Sequence, residues 1–212
     1  MDELTIPSLP ELAAQVVALL HASSRERVLV GITGAPGAGK STLAEALVDA
    51  LADVAALVPM DGYHLADEEL ARLGLSDRKG APPTFDRAGF AAALRRLRPV
   101  AAPDDAPIYL PRFHRELEAA VAGSIPVTPA QRVLIVEGNY LLLWPEVRAQ
   151  LDRVWFLDPP QPARLDALIA RHVHFGRAEV AAREWVMRSD EANAALVNAA
   201  KHRADLLISW AG

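Results

Sequence analysis

Residues 31–42 read GITGAPGAGKST, and this stretch decides how the rest of the chain is interpreted. Within it, Gly34, Gly39, Lys40 and Ser41 fit the spacing G-x-x-x-x-G-K-[ST], which is typical of a loop that surrounds phosphate groups. Lys40 is expected to reach the β and γ phosphates of a nucleotide, and the hydroxyl of Ser41 is expected to ligate Mg²⁺. The stretch therefore predicts a nucleotide site.

The flanking segments predict the orientation of this loop. Val28 to Thr33 has the length and apolar character of a buried strand, and Thr42 to Leu51 has a helical pattern. A loop between a strand and a helix directs backbone N–H groups and the helix dipole at phosphate oxygens. Pro36 has no N–H, so the expected donors are the amides from Gly37 to Thr42. The predicted nucleotide-binding residues are Gly34, Ala35, Pro36, Gly37, Ala38, Gly39, Lys40, Ser41 and Thr42.

Two carboxylates follow predicted strands. Asp61 comes just after the predicted strand Ala56 to Pro59, and Glu137 ends the apolar run VLIVE. The carboxyl ends of parallel strands surround the ligand crevice, so Asp61 is expected to face the γ phosphate and accept the proton of an attacking hydroxyl. Glu137 is expected to hold Mg²⁺ through water or to help position an acceptor. The alternatives are an Asx turn before Gly62 and a salt-bridged strand end.

Composition limits the class of protein. The chain has 212 residues, of which 51% are hydrophobic, and one domain spanning 1–212 is expected. It has no cysteine, which excludes disulfides and cysteine-bound metal. With 22 basic and 27 acidic residues it favours neither nucleic acid nor anionic lipid as a partner. We find no signal-like start and no membrane-length apolar run, so a soluble, cytoplasmic protein is expected.

Short apolar runs alternate with helical segments, which predicts a three-layer α/β fold with a parallel central sheet. Further strands are predicted at 108–110, 132–136 and 154–157, each inside a sheet covered on both faces, and a last strand is predicted at 206–209. Ser8 and Glu11 predict a capping box, and Asp86 is expected to cap the helix RAGFAAALRRLR.

Irregular structure is predicted for the loop 77–86 and for the linker 100–106. Helices from Pro162 to about Arg171 and on to about Lys201 are expected to be broken near Gly176, and the tryptophans 144, 155, 185 and 210 are expected in the core or an interface.

Other nucleotide-binding classes fit less well. A GTPase switch needs an N-K-x-D element, which this sequence lacks, and its one D-x-x-G match, Asp86 to Gly89, begins a predicted helix. Motor and transporter ATPases need an acidic pair at the end of a strand, whereas VLIVEG has the single Glu137. Phosphoryl transfer is therefore the favoured function. A nucleotide-binding regulatory or assembly ATPase without an acceptor remains the alternative.

Several ordered segments carry a resemblance to a known family. GAPGAGKST, MDGYHL, RKGAPPTFD, APIYLPRF and VLIVEGNYLLL occur in the order found in P-loop kinases of the phosphoribulokinase, uridine kinase and pantothenate kinase group. The resemblance spans roughly residues 25–210. It implies a nucleoside-monophosphate-kinase-like core, ATP and Mg²⁺ as cosubstrates, Asp61 as catalytic base, and a helical lid that brings arginine to the phosphates.

Two departures separate the sequence from named members of that group. In pantothenate kinases a histidine follows P-x-Y, and here Pro111 replaces it. In uridine kinases an aspartate comes directly after P-x-Y, and here Leu110 occupies that position. The sequence is most similar to small bacterial kinases named as fructose transport system kinases or nucleoside kinase-like proteins. The expected acceptors are a sugar, a nucleoside or a pantothenate-like alcohol, in that order.

The lid and the acceptor pocket have their own candidates. The lid is expected at about 164–190; Arg164 and Arg171 share a helical face, Arg177 lies at the break, and Arg171 is the preferred phosphate ligand. Both His172 and His174 are expected to point outward. The predicted acceptor-binding residues are Tyr63, His64, Lys79, Phe85, Arg112 and Tyr140, with Arg78 and His114 nearby. A nucleoside-monophosphate kinase, with Arg78, Lys79 and Arg112 on an acceptor phosphate, stays open, and so does a homodimer.

Overall fold

A five-stranded parallel sheet forms the centre of the computed structural model, which describes residues 7–100 and 106–209. The strands are β1 (Val28–Gly34), β2 (Ala55–Pro59), β5 (Val133–Glu137), β6 (Arg153–Leu157) and β7 (Leu206–Ile208). Their order across the sheet is β2-β5-β1-β6-β7, and all neighbours run parallel. The predicted α/β fold with a parallel central sheet is therefore confirmed.

Helices cover both faces of this sheet. They are α1 (Leu9–Ala22), α2 (Lys40–Leu51), α3 (Asp67–Leu73), α4 (Arg87–Leu97), α5 (Pro145–Arg148), α6 (Gln161–His174), α7 (Glu179–Trp185) and α8 (Glu191–Ala199). The capping box of Ser8 and Glu11 begins α1, and the Asp86 carboxylate accepts the Gly89 N–H at 2.8 Å to begin α4, as predicted. The short helices α3 and α5 were not predicted because neither is long enough to show a clear period.

Alternation along the strands divides the core into two layers. Leu29 and Val136 point to the side that holds α4 and α5, whereas Val28, Val30 and Ile135 point to the side that holds α1 and α2. Every residue of β1 and β5 is buried. Strands buried on both faces are the reason for the continuous apolar runs in the sequence.

A β-hairpin stands apart from the central sheet and corrects one expectation. Residues 108–110 belong to β3 (Ile108–His114), which pairs in antiparallel fashion with β4 (Ala119–Val127) in a separate two-stranded sheet. The prediction of a strand inside the central sheet was therefore wrong. The reason lies in the burial pattern of β3. Ile108 and Leu110 are buried and Tyr109 between them is exposed, so only one face of this strand is covered by the rest of the protein.

The C-terminal helices form one bent segment. The chain turns at Gly176, with φ of 90°, as predicted. After the turn, α7 continues into α8 through a π-helical turn, Val186–Asp190. Among the tryptophans, 144 and 155 are buried and 185 is half-buried, while Trp210 and most of the predicted linker 100–106 lie outside the described residues. No helix in the described ranges is long and apolar enough to cross a membrane.

Candidate active site

The glycine loop lies between β1 and α2 at the carboxyl edge of the sheet. Gly37 and Gly39 have φ of 80° and 85°, which residues with a Cβ rarely adopt. The N–H of Ala38 donates to the carbonyl of Ala35 at 3.1 Å, so it is already used within the loop. Donation by the Ala38 amide to phosphate stays a prediction, and it would require this internal hydrogen bond to be shared or exchanged.

Lys40, Ser41 and Glu137 meet beneath the loop. The Ser41 hydroxyl donates to the Glu137 carboxylate at 3.3 Å, and the Lys40 ammonium donates to the Ala35 carbonyl at 3.0 Å. Lys40 and Glu137 are both buried, at 8% and 7% exposed. Among the described residues, no carboxylate lies within ion-pair distance of Lys40.

Burial perturbs both charged groups. Together with the nearby charge of Asp61, it raises the pKa of Glu137 to about 7, although Lys40 and Ser41 act in the opposite direction. Burial also lowers the pKa of Lys40 to about 8, against the favourable charge of Glu137. A buried ammonium and a buried carboxylate without a direct ion pair each favour a counter-charge in the cleft between them.

The register between β2 and β5 places Asp61 near Glu137 at the carboxyl edge of the sheet. Pro59 of β2 lies opposite Glu137 of β5, and the chain then forms a 3₁₀ turn, Met60–Tyr63, that carries Asp61 over the sheet edge. The hairpin packs closely on this turn, because a Cβ on Gly62 would lie 2.3 Å from the Pro111 carbonyl oxygen. Glycine therefore permits the contact that fixes Asp61 over the phosphate loop, and the predicted base stands in the cleft.

The cleft has two adjoining lobes, of about 390 and 710 Å³. Both are lined by Lys40, Ser41, Asp61, Glu137 and Arg171. The smaller one, which we call the acceptor lobe, also contains His64, Lys79 and Phe85. The larger one, the outer lobe, contains Gly37, Gly39 and Thr42 of the glycine loop, together with Arg112. The predicted site residues thus converge from segments far apart in sequence.

The wall of the acceptor lobe is an aromatic cluster. His64 and Phe85 lie opposite each other in a short antiparallel bridge, and their rings are 3.9 Å apart between centroids. Phe113 flanks His64 at 5.0 Å, and the Lys79 ammonium lies 5.6 Å above the Phe113 ring. His64 Nδ1 is 3.0 Å from the Asp61 carbonyl, which can only accept, so Nδ1 carries the hydrogen.

Two predicted acceptor residues lie outside both lobes. Tyr63 packs on Phe90, with 4.9 Å between ring centroids, and burial raises its pKa to about 12. Tyr140 is fully buried, and its hydroxyl donates to the Gly80 carbonyl at 2.6 Å. In this structure Tyr140 therefore holds the loop that carries Lys79, and direct substrate contact by either tyrosine stays a prediction. Arg78 and His114 line neither lobe.

The lid arginines differ in their surroundings. Arg171 lines both lobes and faces the cleft, as its predicted role requires. Arg164 is instead buried and forms an ion pair with Glu191, so the shared helical face does not give the two arginines a shared role. The prediction that His172 points outward was wrong. Its Nε2 donates to the Asp190 carboxylate at 2.8 Å, and both side chains line the acceptor lobe.

Other residues of the acceptor lobe were missed. They include Phe113, Arg115, Trp185, Asp190 and Asn193. Asn193 had a detectable signal, since it occupies a buried position in line with Val186, Val197 and Ala200, where the helical pattern calls for an apolar residue. Arg115 follows the end of β3, whose pairing in a hairpin was not predicted, so no local pattern indicated its position.

Oxygen donors for a divalent cation are present. Mg²⁺ prefers oxygen ligands and is usually bound by one or two protein groups together with substrate phosphates. The Ser41 hydroxyl and the Glu137 carboxylate supply such a pair beside the glycine loop. These residues therefore fit the predicted Mg²⁺ site, and they would hold the ion where the phosphates of a nucleotide are expected.

Comparison with known proteins agrees with this geometry. A protein from Aspergillus versicolor named "ATP-dependent kinase-like protein notR'" is 32% identical over 145 residues, which is 64% of this chain and 84% of that protein. The crystal structure of a "putative fructose transport system kinase" from Silicibacter sp. TM1040 has 36% identity and a TM-score of 0.84, covering 95% of this chain and 98% of that one. The chain belongs to the P-loop kinases of the uridine kinase family.

Two further matches of this P-loop kinase are partial. A Schizosaccharomyces pombe protein named "Putative uridine kinase" is 36% identical over 152 residues, which is 68% of this chain and 63% of that protein. The family model described as "Methylmalonyl Co-A mutase-associated GTPase MeaB" matches residues 3–60, which hold the glycine loop but not Asp61 or Glu137. Membership of the kinase family implies nucleotide and Mg²⁺ binding.

Proposed function

We propose that the protein is an ATP- and Mg²⁺-dependent kinase that transfers a phosphoryl group to a hydroxyl of a small molecule. The observation that carries this proposal is the position of Asp61, whose carboxylate shares both lobes with Lys40, Ser41, Glu137 and Arg171. A carboxylate beside both the phosphate loop and a second, aromatic-walled lobe is placed to accept the proton of a hydroxyl bound in that lobe. The kinase names of the relatives support the same class of reaction.

The chemistry follows from these positions. The glycine loop and Lys40 hold the β and γ phosphates, and Asp61 orients the acceptor hydroxyl and takes its proton. An O–P bond forms between the acceptor oxygen and the γ phosphorus while the bond to the β-γ bridging oxygen breaks, which leaves ADP. Arg171 stabilises the charge on the transferring group. When bound, Mg²⁺ neutralises charge on the phosphate oxygens, and Ser41 and Glu137 are the residues that would hold it.

The proposed acceptor is a sugar, a nucleoside or a pantothenate-like alcohol. The acceptor lobe, of about 390 Å³, has the size of a small-molecule site, with one aromatic wall and several polar groups. Its aromatic wall of His64, Phe85 and Phe113 suits the apolar face of a ring or chain.

The test is ADP release by purified protein with Mg-ATP and a panel of sugars, nucleosides and pantothenate. An acceptor-dependent rate is expected, and Asp61→Ala should lower kcat by about 10²- to 10⁴-fold while ATP binding persists. A slow rate that ignores every acceptor and is unchanged in Asp61→Ala would instead indicate the regulatory or assembly ATPase.

A further inference from the structure

One buried polar side chain in the acceptor lobe has no partner. Asn193 is 7% exposed and lines the lobe that contains Asp61. Among the described residues, the other buried side chains with a charged, hydroxyl or amide group all form hydrogen bonds, whereas Asn193 forms none. Those others are Arg27, Thr33, Lys40, Thr84, Glu137 and Arg164. An unsatisfied buried amide is unfavourable for folding, which points to a ligand group as its partner.

Asp190 stands on the same side of the helix. It lies three residues before Asn193, a spacing that makes neighbours on a helical surface, and it lines the same lobe. One oxygen of its carboxylate accepts from His172 of α6, which fixes the side chain. Asp190 ends the π-helical turn, and such turns are frequent at functional sites.

The chemistry of these two side chains selects a kind of ligand. A carboxylate accepts hydrogen bonds only, and an amide both accepts and donates them. Hydroxyl groups satisfy both, whereas an anionic group would be repelled by Asp190. We propose that Asp190 and Asn193 form a subsite for a second hydroxyl of the acceptor, so that the acceptor is a polyhydroxylated molecule such as a sugar or a nucleoside with its ribose.

This proposal rests on the proposed kinase function and narrows it. Asp61 orients the hydroxyl that receives the phosphoryl group, and the Asp190–Asn193 subsite binds a different hydroxyl of the same molecule. Loss of the subsite should therefore weaken acceptor binding without changing the transfer step. A buried asparagine that only fills space would leave acceptor binding unchanged.

The experiment measures KM and kcat for D-ribose, D-fructose and uridine, and for their singly deoxygenated analogues, with wild type and Asn193→Leu. Leucine has a similar size and cannot form hydrogen bonds. In the variant, the acceptor KM should rise by about 10- to 100-fold, with kcat and the KM for ATP unchanged. Ala192→Leu adds the same side chain at an exposed neighbouring position of α8 and is the matched control.

Two further readouts keep the result decisive if the variant folds poorly. One deoxygenated analogue should show the same rise in KM with wild type, and that analogue should not distinguish wild type from Asn193→Leu. The ligand-free variant should also unfold no lower than wild type, and a rise of about 2–4 °C in Tm is expected once the orphan amide is removed.

Each contrary outcome has a separate meaning. If wild type uses an acceptor but its KM is unaffected by deoxygenation and by Asn193→Leu, the subsite is wrong and the kinase stands. The subsite is also wrong if the KM for ATP changes in place of the acceptor KM. If no acceptor in any class is turned over, the kinase proposal fails and the subsite fails with it.

Discussion

The guanidinium of Arg164 donates a hydrogen bond to the carbonyl of Pro36 at 2.9 Å, and this contact ties α6 to the glycine loop. The same side chain forms an ion pair with Glu191 of α8. One arginine therefore joins the glycine loop to α6 and α8. These contacts indicate that Arg164 positions the loop, whereas its place beside Arg171 on a helical face suggested direct contact with phosphate.

Replacing this arginine should be costly. Arg164→Ala leaves Glu191 and the Pro36 carbonyl without their partner, and the free energy of unfolding should fall by about 3 kcal/mol. Denaturant unfolding measures the change. Arg183→Ala is the matched control, because its ion pair with Glu179 is exposed on both sides and should be worth less than about 0.5 kcal/mol. Equal effects of the two variants would contradict the positioning role.

Gly37 allows α6 to approach the loop. A Cβ at this residue would lie 2.9 Å from the Arg164 carbonyl oxygen and 3.0 Å from the Leu168 Cβ. Gly37→Ala should therefore lower stability by about 2 kcal/mol or more, and should raise the KM for ATP as the loop shifts. Gly74 also has a positive φ, of 67°, but open space around it. Gly74→Ala should cost only about 1 kcal/mol and leave the KM for ATP unchanged.

His64 should make stability depend on pH. Burial lowers its pKa from the ordinary value of 6.5, so on acidification the unfolded chain binds this proton before the folded protein does. The contribution of His64 to the free energy of unfolding should therefore fall as the pH drops below about 6.5, by at most about 1.4 kcal/mol per pH unit. The raised pKa of Glu137 acts in the opposite direction over the same range, so the contribution of His64 is measured as the difference between wild type and a variant without this histidine.

The variant His64→Asn isolates this effect. Asparagine can keep a donor near the Asp61 carbonyl but does not titrate, so the loss between pH 7.5 and 5.5 should shrink. Urea unfolding at the two pH values gives the comparison. A loss of the same size in wild type and variant would assign the pH dependence to other groups.

Removing the hydroxyl of Tyr140 tests whether this residue supports the loop or binds substrate. Tyr140→Phe removes the hydrogen bond to Gly80, and stability should fall by about 1 kcal/mol while the acceptor KM changes less than about threefold. Thermal unfolding and acceptor kinetics on the same preparation separate the possibilities. Unchanged stability with a tenfold higher acceptor KM would restore Tyr140 as a direct substrate ligand.

The local parts of the site were predictable because their signals are local. The glycine loop is defined by backbone conformations that only a few residue types adopt, and it follows a strand that is buried on both faces. Asp61 and Glu137 were found because parallel strands place their carboxyl ends at one edge. The caps of α1 and α4 depend on residues three positions apart.

The sequence by itself thus determined the parallel sheet, the phosphate loop and the carboxylates at the strand ends. Only the tertiary structure decided that β3 leaves the sheet to pair with β4, that Arg164 holds the loop, and that Asp190 and Asn193 enter the acceptor lobe. These features depend on contacts between segments far apart in the chain. No local periodicity encodes them, because each partner's position is set by how the helices and the hairpin pack around the sheet.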